Sequence, residues 1–197
     1  MLIGYLRTAP ASLTAALAIA LSVPACAGGS DGDASGDTAG VPLVVDSTGG
    51  IPDAELERAA RDVIAFLRGE VPFEEIELAD SVALYVSPEG GGTRTVIDRE
   101  QLRQPSSWVV SSGVRSHSLA PPADLPSMTV RVGRHFNCME YPMSSRFEEL
   151  APLPHVGVKL ERESGGNCLQ TWNLTLVFDA AARPPRLVAA VYDQWEW

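Results

Sequence analysis

Cys168-Leu169-Gln170-Thr171-Trp172-Asn173-Leu174-Thr175-Leu176-Val177-Phe178 alternates large apolar side chains with polar ones. A strict period of two places Cys168, Gln170, Trp172, Leu174, Leu176 and Phe178 on one face of a strand and Thr171, Asn173 and Thr175 on the other. The strand therefore carries much of a core on one side. Upstream, Val156, Val158 and Leu160 alternate in the same way, and Ser164-Gly165-Gly166-Asn167 supplies the turn between the two runs. Downstream, Leu187 to Trp195 repeats the pattern. These three runs predict a three-stranded antiparallel meander closing the chain. Asn173-Leu174-Thr175 matches a glycosylation acceptor, but a strand gives that match no weight.

Working back, Ser145 and Glu148 make a serine–glutamate start for a short helix that Pro152 ends. Before it, Met128, Val130 and Val132 alternate toward Gly133. Trp108-Val109-Val110 and Ser116 to Leu119 read as short strands, broken off by Pro121-Pro122 and Pro126. Val82, Leu84 and Val86 alternate with Ala83 and Tyr85, then Pro88-Glu89-Gly90-Gly91-Gly92 turns the chain into Thr93 to Asp98, a hairpin. Asp98 with Gln101 starts a short helix ending before Pro105. At the front, Leu56, Ala60, Val63, Ile64 and Leu67 fall at helical spacing. Pro52 suits its start, Asp53 and Glu55 favour its positive end, and Gly69 and Pro72 stop it. The fold class is α+β, an N-terminal helix packed on a curved antiparallel sheet.

That order, helix, hairpin, then a long closing meander, is similar to the NTF2-like α+β folds. The similarity covers about 140 residues by element order and carries no diagnostic motif. It implies a pocket between sheet and helix that binds a small molecule or, less often, catalyses; no residue is carried over from it.

The N-terminal part has another character. Arg7 and the Ala/Leu-rich run from Ala9 to Val23 fall short of the roughly 20 apolar residues of a spanning helix and suit a secretory signal. The run closes on Val23-Pro24-Ala25-Cys26, which resembles the lipobox of bacterial lipoproteins. That resemblance implies a diacylglycerol on the Cys26 sulfur, cleavage just before Cys26, and a place on the extracytoplasmic face of the cell membrane. Ala25-Cys26-Ala27 also fits ordinary signal cleavage, which would remove the cysteine and secrete the chain. From Cys26 to Gly40 the residues are small and polar, with nothing to order them. The expected organisation is a signal peptide over 1–25, a tether over 26–40 and one domain over 41–197. Inside the tether, a match to G-x-S-x-G lacks its strand and helix, and a calcium-loop beginning at Asp31 has Pro42 where the bidentate glutamate belongs.

With Cys26 lipidated, Cys138 and Cys168 remain as an even pair in an oxidising compartment, and a disulfide between them is expected. Closing a loop of about 30 residues contributes roughly 3 to 4 kcal/mol in the chain-entropy model. The formal net charge is −10 and Lys159 is the only lysine, so neither nucleic acid nor an anionic surface is an expected partner.

The densest chemistry lies in Arg134-His135-Phe136-Asn137-Cys138-Met139-Glu140-Tyr141, opposed by a reading as a strand with polar residues facing water. Arg134, His135, Glu140 and Tyr141 are candidate ligand-binding residues, with Trp195 from the aromatic end of the chain. His117, His135 and His155 stand about 20 residues apart without ligand spacing, so no metal or other cofactor is expected. No catalytic residue is assigned. A membrane-anchored lipoprotein with a small ligand- or protein-binding domain is the expectation, and the rival is an enzyme using a pocket near His135 and Glu140.

Overall fold

A computed structural model describes residues 50–86, 93–112, 115–137, 142–143, 147–162 and 171–193. The leader, the tether, Cys26, Cys138, Cys168, Glu140, Tyr141 and Trp195 lie outside the described residues. Among the described residues, no helix is long and apolar enough to cross a membrane.

The helix α1 spans Asp53–Leu67 behind Pro52, with Asp53 and Glu55 in its first turn. It buries Leu56, Ala60, Val63, Ile64 and Leu67, the expected stripe, and Phe66 beside them. Gly69 ends it at φ +74°, a left-handed conformation that a side chain resists, and its N–H donates to Phe66 O at 2.8 Å.

Among the described residues eight strands follow: β1 Leu78–Val86, β2 Thr93–Asp98, β3 Val109–Ser112, β4 Arg115–Ser118, β5 Ser127–Val132, β6 His155–Glu161, β7 Trp172–Phe178 and β8 Leu187–Tyr192. Six of them form one sheet in the order β2-β1-β8-β7-β6-β5, while β3 and β4 pair as a separate hairpin. The meander β6-β7-β8 is antiparallel, as is the β1–β2 hairpin, whose register sets Leu84 opposite Thr95.

The sheet as a whole departs from the antiparallel expectation. It is mixed, because β8 returns between β7 and β1 and runs parallel to β1, Leu84 beside Ala190. Alternation tells which face a strand buries and nothing about which neighbour it takes. The short helix expected after Asp98 forms as a 3-10 helix over Arg99–Arg103, ending before Pro105, without a side-chain cap from Asp98. One shorter expectation changes. The residues around Pro152 form successive turns, tied by Phe147 N–H to Met143 O at 2.8 Å, where a helix was expected.

The sheet has two buried faces. On the first, α1 lies over β5 and β6 and packs with Trp172, Leu174, Leu176 and Phe178 of β7. Trp108 closes that core, tilted against Phe66 at 6.1 Å, its indole N–H donating to Leu102 O at 3.0 Å. On the second, Met143, Phe147 and Leu150 cover Ala83, Tyr85, Val177, Ala189 and Val191. Sheet residues on both faces read as buried, so β7 is buried along its whole length.

Candidate functional site

The second face changes character along β7. Val177 faces apolar neighbours, whereas Thr175, Asn173 and Thr171 continue the same side toward the strand's start, and all three are buried. Asp193, just past β8, lies beside Asn173, its N–H donating to Asn173 O at 3.3 Å.

His135 comes down on this patch from the segment after β5. Its Nε2 stands 3.3 Å from Asp193 Oδ2 and its Nδ1 2.7 Å from Thr175 Oγ1. The imidazole and carboxylate side chains are only 5% and 3% exposed. A carboxylate accepts only, so Nε2–H donates to Asp193, while at Nδ1 the donor is the ring or the Thr175 hydroxyl according to the protons the ring carries. Asn173 Nδ2 donates to Thr171 Oγ1 at 3.2 Å. The Phe147 ring meets the imidazole edge-on at 6.3 Å. Among the described residues, Asp193 Oδ1 is enclosed without a hydrogen-bond partner, and Trp172 Nε1 shares that condition on the sheet's other face.

Gly157 makes this docking possible. It pairs with Thr175, and a Cβ there would run into the Arg134 carbonyl and stand 2.9 Å from Phe136 Cδ2. The segment 134–137 is irregular chain lying over Gly157, so the strand expected for that stretch does not form in these residues. Arg134 itself is exposed and contributes its carbonyl to the packing.

Of the expected site residues, His135 is thus central and Arg134 peripheral, while Glu140, Tyr141 and Trp195 fall outside the described residues. Thr175, Asn173 and Asp193 were missed, because nothing local in the sequence marks a polar residue within or just past a strand as buried.

A hydroxyl, an imidazole and a carboxylate in line are the parts of a nucleophile and its base. Thr175, however, is 1% exposed in mid-strand, where a substrate carbonyl has no line of approach. The arrangement clasps the segment at 134–137 to the sheet and encloses one Asp193 carboxylate oxygen that has no partner among the described residues. His155 has a structural role, its Nδ1 set 2.9 Å from Leu153 O. Among the described residues no group of His, Cys, Asp and Glu is placed to hold a metal ion.

Two surface clefts lie elsewhere. One, of about 340 Å³, runs beside Phe66, Pro72, Phe73 and Pro105. Arg99 and Arg103 stack on Phe73 there at 5.6 and 5.1 Å. Arg103 is held by Glu100 at 2.6 Å and Glu74 at 3.3 Å, so its charge is answered within the fold. The Arg103 hydrogen bond lowers the Glu100 carboxyl below its ordinary range, and Glu100 raises the guanidinium in turn. The other, of about 150 Å³, lies between α1 and the β7–β8 connection, with Val63, Ile76 and Phe178 among its apolar walls.

Comparison of the chain with protein-family profiles, curated proteins and solved structures finds no match among them.

Proposed function

We propose that the protein is a bacterial lipoprotein, anchored through acyl chains at Cys26 to the extracytoplasmic face of the cell membrane, with an α+β domain that binds a small ligand or a protein. The observation that carries the reading is Val23-Pro24-Ala25-Cys26 at the end of an apolar leader, followed by a small, polar tether. Two acyl chains give stable anchoring where one is marginal, at about 0.8 kcal/mol for each buried methylene. The acidic balance of −10 fits a lipid hook better than electrostatic adhesion to an anionic surface.

For the domain, an NTF2-like architecture is supported by the helix α1 ahead of a hairpin and the long closing meander. The space such folds use for ligands is filled here by the core between α1 and β7, including Trp172 and Phe178. The polar patch around His135 and Asp193, on the opposite face, is the better ligand site. The burial of Thr175 weighs against the rival reading, an enzyme working near His135 and Glu140.

The decisive experiment replaces Cys26 with Ser in the natural host. We expect the variant to leave the membrane fraction and the detergent phase. Unchanged partitioning would remove the lipid anchor from the proposal.

A further inference from the structure

We propose that two copies of the chain join through the outer edge of β2, antiparallel, with a two-fold axis at Val96. The inference stands apart from the lipid anchor and from the ligand site.

β2 ends the six-stranded sheet, and its ladder there is to β1. Successive residues of an edge strand send their N–H and C=O groups alternately toward the neighbour and away from it, so half of the β2 backbone polar groups face outward. The β3–β4 hairpin does not take them, because it forms a sheet of its own. Edge strands that stay single are commonly blunted by lysine, proline or a bulge. Thr93-Arg94-Thr95-Val96-Ile97-Asp98 has neither residue and pairs with β1 without a break in register.

The exposed side chains of this strand select the partner. Arg94, Val96 and Asp98 are the exposed alternates, on the sheet face that Tyr85 and Ala83 share. Among the described residues Val96 is the exposed large hydrophobic one, at 53%. Arg94 lies over the Tyr85 ring at 5.8 Å, Asp98 makes no side-chain cap to the helix after it, and among the described residues neither is in an ion pair.

An isologous contact requires a surface that complements itself. A two-fold axis at Val96 sets the two valines face to face and places Arg94 of each copy opposite Asp98 of the other. Moving the axis to Thr95 or Ile97 brings a charged side chain opposite Val96 instead. The charges thus fix the register, and the backbone ladder supplies the pairing. The opposite edge, β5, carries Arg131 as its one charged residue, so a symmetric pair there has no acid to set against it. A ladder of six residues buries less than the roughly 1,200 Å² at which standard interfaces begin, so the dimer exchanges readily.

The test therefore traps the pair. The full chain from the natural host is oxidised with copper phenanthroline and read on non-reducing gels, with the unsubstituted chain as background. Val96→Cys is expected to give a linked dimer, because facing residues of an antiparallel pair have Cα atoms about 4.5 to 5.5 Å apart, within bridging range. Arg94→Cys is expected to stay at background, its two sites standing about 13 Å apart along the strands. Adding Asp98→Arg to Val96→Cys makes both charge pairs repulsive and should lower the yield about fivefold, and adding Arg94→Asp as well should restore it. Thermal melts of each variant check folding. Should the single reversal fail to fold, the exchanged pair, which keeps the same side chains, carries the test against Arg94→Cys. No linking above background, equal linking at the two cysteine positions, or a yield indifferent to charge reversal would each overturn the proposal. A linked band whose mass is not twice that of the chain would mark a different partner and overturn it too.

Discussion

Gly157 shows how much one missing atom can determine. In β6 it lies opposite Thr175, and the Arg134 carbonyl and Phe136 ring occupy the volume of its absent Cβ. Gly157→Ala should therefore push the segment bearing His135 off the sheet and cost about 1 to 3 kcal/mol, the usual penalty of overpacking. Urea unfolding would measure it, with wild-type stability the contrary result. Tyr85 offers a second reading at this scale. Burial pushes its phenol above the ordinary range, Arg94 opposes that, and Glu149, accepting the phenol proton at 3.2 Å, reinforces it. A group whose folded pKa is raised contributes stability below its unfolded value, and that contribution is lost as pH rises through the folded value. Wild type should lose stability relative to Tyr85→Phe only at strongly alkaline pH, and denaturant melts above pH 10 would check this. His135 was recognisable in the sequence because it stood in a dense polar run. Asp193 and Thr175 were not, because nothing local distinguishes a buried threonine or aspartate from an exposed one.

At the scale of elements, α1 and β7 meet through side chains that their own periodicities select. Leu56 and Ile64 from the helix and Leu174 and Leu176 from the strand are all fully or almost fully buried. Leu176→Ala should cost about 2 to 5 kcal/mol, since β7 is central and flanked on both sides, leaving little room for collapse. The same change at Val96, which is 53% exposed on the edge strand β2, should stay within about 0.5 kcal/mol. Comparable thermal losses at both positions would contradict the assigned faces. The elements themselves were legible wherever a period ran for several residues, as in α1 and the meander. Where glycine, proline and polar residues broke the pattern, near Asp98 and before Pro152, short propensity signals pointed to helix, and the chain forms a 3-10 helix at the first place and turns at the second.

For the whole molecule, Cys138 and Cys168 bear on how the pieces are braced. The described chain runs out of β5 toward Cys138, and β7 begins just after Cys168. A disulfide between them, which we propose with the extracytoplasmic location, would fasten the segment bearing His135 to the strand that receives it. Non-reducing peptide mapping should find the two linked, and reduction should lower the unfolding free energy by roughly 3 kcal/mol. Two free thiols in material from the natural host would exclude the brace. The amino-acid order alone determined the helix, the hairpin, the meander and the inward face of each, because burial is read from periods of 3.6 and two within a few neighbours. Only the tertiary structure decided that β8 inserts beside β1 in parallel, and that His135, Thr175 and Asp193 converge. Both outcomes depend on which distant segments become neighbours, a choice made by the collective packing of two sheet faces and written in no single stretch of chain.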